Sequence, residues 1–183
     1  MQRKLTGIAV AILWMADPGI ASFSQAVAGE PIPHTGDVLQ WLIPATGFAA
    51  TYLHDDPEGR RQFLPSMLTA FGATTVMKYA VNERRPNGGH LSFPSGHTSS
   101  AFQGAAFLQQ RYGWKWGIPA FAAAAYTGWS RVELKAHYPH DVFAGAAIGI
   151  LSSYVFTTRY CKDVALSAFA ENGTIGVQLG LTW

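Results

Sequence analysis

Five apolar segments set the limits on what this chain can fold into. They cover residues 38–53, 62–82, 97–110, 116–130 and 140–158, and each is broken by Gly, Ala, Ser, Thr or Gln. All are long enough for helices, and none shows the strict alternation of a half-buried strand. Runs such as GAAFLQQ (104–110) and FAGAAIGILSS (143–153) put small residues where helices can approach closely, as membrane helices do. The spacing therefore predicts an all-α bundle of five or six helices over residues 29–160. Tilted and mutually shielded, these helices are expected to be membrane-embedded; a soluble helical bundle is the competing reading.

Composition points the same way without deciding it. Only 13% of residues are charged against 49% apolar, about half the charged share of an ordinary soluble domain. Mean hydropathy is nevertheless a modest +0.10. A net charge of +2 with no basic tract gives no reason to expect nucleic acid as a partner. The one cysteine, Cys161, excludes a disulfide within the chain and any cysteine-based metal cluster. Oligomeric state is not legible.

The N-terminal stretch places Arg3 and Lys4 before an apolar run over 5–16, with Ala26-Val27-Ala28 ahead of Gly29. These are the parts of a secretory signal peptide. Residues 1–28 are read as that peptide, cleaved or used for export, with an uncleaved first membrane helix as the alternative. The far end changes period. In residues 173–183, Val177, Leu179, Leu181 and Trp183 alternate with Gln178, Gly180 and Thr182, a strand-like tail within a C-terminal extension over 161–183. No second strand is evident in the sequence.

If all five segments cross, the connections at 54–61, 111–115 and 159–163 share one side. They carry Arg60, Arg61, Arg111, Lys115, Arg159 and Lys162, which suits a cytoplasmic face. The connections at 83–96 and 131–139 share the other, and these hold nearly all the chemistry.

Three clusters make up that chemistry. Lys78 and Arg85, seven apart, are expected on one face of the second helix, which Pro86 then stops. Taken alone, the pair also fits a basic helix end that complements the macrodipole. Pro94-Ser95-Gly96-His97 opens the third helix, where free N–H groups attract anions and Ser95 offers a hydroxyl; an ordinary capping turn reads the same way. Pro139 is placed to start the fifth helix. Asp141, four residues after His137, can hold an imidazole N–H, with Arg131 six residues before that histidine. Three cations, helix-start amides and two histidines suit one task above others. They can grip a phosphate while one imidazole attacks and the other protonates the leaving oxygen. Glu83, Glu133 and Asp141 are too few to suggest a divalent-metal cage, and no cofactor is expected.

The set K-x6-RP (Lys78 to Pro86), PSGH (Pro94 to His97) and SR-x5-H-x3-D (Ser130 to Asp141) resembles the three-part motif of the type 2 phosphatidic acid phosphatase superfamily, complete in type, spacing and order. The resemblance implies His137 as the nucleophile of a phosphohistidine, oriented by Asp141, and His97 as the general acid. It implies Lys78, Arg85, Arg131, Ser95 and Gly96 as phosphate ligands, and no metal. Arg84 and His140 match no motif position. The expected substrate is a phosphorylated membrane lipid of polyprenyl diphosphate, phosphatidylglycerol phosphate, phosphatidate or lipid A type. The site would face the periplasm from a bacterial inner membrane. The alternatives are a soluble periplasmic acid phosphatase for small monoesters, a vanadate-dependent haloperoxidase and a non-catalytic lipid-binding membrane protein.

Overall fold

The computed structural model describes residues 35–160 with their side chains and the backbone of residues 164–171 and 174–181. The leader expected over 1–28 and the lone Cys161 lie outside the described residues. Five helices follow in order: α1 (Thr35–Leu53), α2 (Pro57–Val81), α3 (Gly96–Tyr112), α4 (Trp114–Glu133) and α5 (Pro139–Phe156). Each covers one of the five apolar segments, and residues 35–160 contain no strand.

Local chemistry sets the ends of these helices. Asp56 caps α2, its Oδ1 accepting from the Gly59 N–H at 2.8 Å, and Pro57 follows at the first helical position. Asn82 ends the same helix in the left-handed region, φ 47°, with its N–H donating to the Lys78 carbonyl. Ser95 caps α3. Pro139 opens α5, and Asp141 reaches back from the first turn to accept the Tyr138 N–H at 2.9 Å.

α3 is the axis of the fold, packed by the other four helices. From Thr98 to Leu108 all but one of its residues are buried. Small side chains make this possible. A Cβ at Gly104 would strike the Pro44 backbone of α1, and one at Gly149 the Ser99 carbonyl oxygen. The interior is correspondingly small and partly polar. Ala101, Ala105 and Ala124 are fully buried, and so are hydrogen-bonded pairs. Thr74 donates to Ser99 at 3.0 Å, Gln103 to Ser66 at 2.9 Å and Ser100 to the Gln40 carbonyl at 2.8 Å. Large apolar side chains instead face outward, among them Leu53, Val76, Ile118, Phe143 and Val155. Ser, Thr, Gln and Gly dilute every helix, and no helix among the described residues is long and apolar enough to cross a membrane.

The connections sort to two ends of the bundle, as strict alternation requires. At one end Arg111 grips Asp56 with two bonds, Nε to Oδ2 at 2.7 Å and Nη2 to Oδ1 at 2.6 Å, joined by the Tyr112 hydroxyl at 3.0 Å. Arg111 also donates to the Thr158 carbonyl at 2.9 Å. This corrects the grouping of Arg111 with the free cationic charges of that face, because it is buried and neutralised by Asp56. At the other end gather the start of α1 and both motif-bearing connections.

The strand-like tail has a partner the sequence reading missed. β1 (Val164–Glu171) and β2 (Thr174–Leu181) form an antiparallel hairpin, with Val164 opposite Leu181 and Glu171 opposite Thr174. Ala-rich VALSAFAE hides the first strand, having no clean alternation. The available signal was Asn172-Gly173, a dipeptide favoured in short hairpin connections.

Candidate active site

The start of α3 lies against the start of α5. The Ser95 N–H donates to the Asp141 carbonyl at 3.0 Å. Gly145 permits the contact, since a Cβ there would collide with the Ser95 carbonyl oxygen. Ser95 itself is fully buried as the N-cap, its Oγ accepting from the Thr98 hydroxyl at 3.0 Å and, at 3.4 Å, from the Thr98 N–H. Gly96 is partly open, and a Cβ on it would lie 3.7 Å from Lys78 Cε. The lysine of the first motif therefore stands beside the glycine of the second. Lys78 Nζ donates to the Leu91 carbonyl at 2.8 Å, and Leu91 occupies the left-handed region at φ 59°. That conformation is costly for a branched side chain and is typical of functional loops.

His137 sits in the connection between α4 and α5, and its side chain is only 2% exposed. Its N–H donates to the Arg131 carbonyl at 3.2 Å, which ties nucleophile candidate and cation into one turn. Nδ1 lies 3.3 Å from Asp141 Oδ2, and that oxygen also accepts from Ser92 Oγ at 2.5 Å and from the Tyr138 N–H. Burial, reinforced by the charges of Lys78, Arg85 and His97 and opposed by Asp141, pushes the His137 pKa down to about 3. The ring is thus neutral at physiological pH. With Nδ1 directed at the carboxylate, Nε2 is left as a free lone pair.

A second cluster joins α1, α3 and α4. Arg131 Nη1 donates to Asp37 Oδ1, and His97 Nε2 lies 3.0 Å from the same oxygen. Ser130 steadies the guanidinium, accepting from Arg131 Nε and Nη2 at 3.2 Å each and donating to the Thr127 carbonyl at 2.7 Å. Gly36 brings α1 this close, because a Cβ there would meet Ser130 Oγ and Arg131 Nη2. Asp37, Ser92 and Ser130 are the residues that motif reasoning left without a role. Asp37 is 94 positions from Arg131 and Ser92 is 49 from Asp141, so no local spacing reveals them.

Arg85 needs a correction. α2 ends at Val81, so Arg85 is not seven residues along one helical face from Lys78. The left-handed Asn82 turns the chain out of the helix, and Arg85 lies in a turn closed by the Gly88 N–H on its carbonyl at 2.9 Å. Its Nε donates to the His90 carbonyl at 3.0 Å, and its charge still reaches His137 and Arg131. At the rim, His140 stacks on Tyr138 at 5.3 Å, its Nε2 lying 3.0 Å from Glu83 and 3.1 Å from Asp141 Oδ1. Glu83, His140 and Asp141 bring donor atoms within 4.8 Å of one another. The imidazole is hydrogen-bonded to Glu83, and Asp141 Oδ2 is taken by Ser92, Tyr138 and His137.

A neutral buried imidazole, a second histidine, three cations and a capped helix start thus meet at one end of the bundle. The family model described as the PAP2 superfamily matches residues 61–163. Among similar proteins, the lipid A 4'-phosphatase of Helicobacter pylori is 29% identical over 170 residues, covering 86% of this chain and 85% of that protein. The lipid A 1-phosphatase of Rhizobium johnstonii is 38% identical, covering 84% of this chain and 78% of its own length. The crystal structure of Aquifex aeolicus LpxE superposes with a TM-score of 0.60 over 70% of this chain and 87% of that one, at 23% identity, and so shares the fold. With the motif set, the matched length and the bundle in agreement, the chain belongs to the PAP2 superfamily and is a phosphatase.

Proposed function

We infer that this phosphatase removes a phosphate from a membrane lipid, with lipid A the first candidate, through a phosphohistidine and without a metal. The observation that carries the reading is the His137–Asp141 pair: a buried, neutral ring held by a carboxylate that is itself anchored twice. Lys78, Arg85 and Arg131 hold the phosphate oxygens, joined by the Gly96 N–H and the Ser95 hydroxyl. Preorganised donors of this kind lower a charged barrier by about 2.7–4 kcal/mol each when measured singly. His137 Nε2 attacks phosphorus, and a P–N bond forms as the P–O bond to the leaving group breaks. His97 gives its proton to the departing oxygen. It then takes a proton from water, which attacks phosphorus, breaks the P–N bond and returns His137 as the neutral ring.

Lipid A leads because the two relatives above that span most of this chain are named as lipid A phosphatases. The outward apolar side chains of α1, α2, α4 and α5 favour a lipid-facing bundle. The proposal puts it in a bacterial inner membrane with the site on the periplasmic side. A soluble periplasmic acid phosphatase is the second reading, favoured by the lack of a fully apolar helix among the described residues. Protein released by carbonate washing would support that second reading.

The test is phosphate release in detergent across lipid A, polyprenyl diphosphate, phosphatidylglycerol phosphate, phosphatidate and small monoesters. The expected result is turnover of lipid A, lost by roughly 10⁴-fold or more in a folded His137→Ala variant. Wild-type enzyme should also yield an acid-labile, alkali-stable phosphoenzyme. Turnover retained without His137 would sink the mechanism.

A further inference from the structure

The first turn of α1 contributes a residue that the three motifs do not contain. Asp37 is 6% exposed, and its Oδ1 meets both Arg131 Nη1 and His97 Nε2. The arrangement resembles that of Asp141 and His137 with the nitrogens exchanged, although at His97 the contact is an ion-pair approach of 3.0 Å rather than an aligned hydrogen bond. One carboxylate faces Nδ1 of the buried ring, and the other faces Nε2 of the ring at the head of α3.

We propose that Asp37 is the positioning residue of the general acid, pairing with His97 at Nε2 so that Nδ1–H is the proton delivered to the leaving oxygen. The proposal rests on the reading of His97 as that acid. A carboxylate fixed against one imidazole nitrogen selects the tautomer and the ring orientation, and it favours the protonated ring. A general acid needs all three. The charge balance of the site makes the point sharper. Arg131 on α4 shares Asp37 Oδ1 with the ring, and His137, which also feels Lys78 and Arg85, lies within electrostatic range, so the charges grouped at this end are mainly cationic. Without an anion nearby, such surroundings favour the unprotonated imidazole, which has no proton to give. Asp37 supplies that anion from α1 and is itself held by Arg131. In the first step the His97 Nδ1–H bond breaks as the leaving oxygen gains the proton and its bond to phosphorus opens. His97 is left as the neutral Nε2–H form, still on Asp37. In the second step Nδ1 takes a proton from the attacking water.

The test compares p-nitrophenyl phosphate, whose leaving group departs without help, with unsubstituted phenyl phosphate, whose leaving group needs a proton. The expected result for Asp37→Asn is a kcat on phenyl phosphate that falls about tenfold further than on p-nitrophenyl phosphate. The alkaline limb of the phenyl phosphate profile should also move to lower pH. Asp37→Glu should restore the ratio in part. Equal losses on both esters would mean that the carboxylate serves only Arg131 or packing, and a rise in either rate would make it a competitor for the phosphate site; both overturn the proposal. His97→Asn separates this failure from that of the underlying reading. If His97→Asn shows no preferential loss on phenyl phosphate, the general-acid assignment itself falls; if it does and Asp37→Asn does not, only Asp37 falls. Nitrogen-15 NMR of the wild-type protein gives an answer that needs no variant to fold. The neutral His97 ring should carry its proton on Nε2, and a proton on Nδ1 overturns the proposal.

Discussion

At the scale of single residues, two imidazoles sit in different surroundings. His137 is buried among cations and neutral, while His97 is more open and shares an oxygen with Arg131. The depressed value for His137 has a consequence for stability. The unfolded chain takes up a proton on this ring near pH 6.5, and the folded protein refuses it down to about 3. Between those values the unfolded state binds more protons, so stability falls as pH falls, by at most about 1.4 kcal/mol per pH unit from this group. Thermal unfolding of wild type should therefore lose about 2 kcal/mol more than His137→Gln between pH 6.5 and 5. Parallel losses would mean the ring is not held neutral. The candidate-site residues were legible wherever chemistry repeats at fixed spacing: Lys78, Ser95, Gly96, His97, Arg131, His137 and Asp141 all lie at the motif-bearing end of the bundle. Asp37 and Ser92 were not, since each is an ordinary polar residue whose partner is fixed only by folding.

At the scale of elements, apolar period revealed all five helices, and Ser95 and Pro139 marked two of the starts; the cap at Asp56, which begins α2 five residues before the expected 62, went unread. The end of α2 escaped. Polar and charged residues with no helix breaker continue from Asn82 to Arg85, and only the left-handed turn at Asn82 releases Arg85 from the helix. Close packing of α5 on α3 gives a second prediction. Gly145→Val forces branched carbons onto the Ser95 carbonyl, which is backbone and cannot rotate away. The expected cost is about 1–3 kcal/mol, the usual range for overpacking. Because Ser95 caps the helix that presents Gly96 and His97, kcat should fall as well, while a change on the outer face, Phe143→Leu, leaves both nearly intact. A Gly145→Val protein with normal kcat would show that the two helices can separate without disturbing the site.

At the scale of the whole molecule, the usual arrangement is partly inverted, with small and polar groups between helices and large apolar groups outside. Hydrophobic burial within the chain is correspondingly limited, and the polar locks matter more. The Asp56–Arg111 pair closes the end opposite the site, and removing one partner leaves a buried charge. Arg111→Met should cost about 3–5 kcal/mol, and Arg111→Met with Asp56→Asn should recover part of it, because asparagine drops the charge and still caps α2. In detergent the folded double variant should keep wild-type kcat, because the site lies at the other end; a large loss would show that the two ends are coupled. This inversion was visible in the sequence as Ser, Thr, Gln and Gly scattered through apolar runs, but which face each residue takes was not, since both faces carry small residues. The three hydrogen bonds that join α3 to Thr74, Ser66 and the Gln40 carbonyl then have a role beyond their strength, which is about 1 kcal/mol each. Alanines and glycines pack almost equally well in neighbouring positions, so a helix lined with them could slide or turn by a residue at little cost. Directional bonds at three heights act as locating pins. They give the central helix one rotation and one height, and so keep its first turn, with Gly96 and His97, at a single place relative to His137.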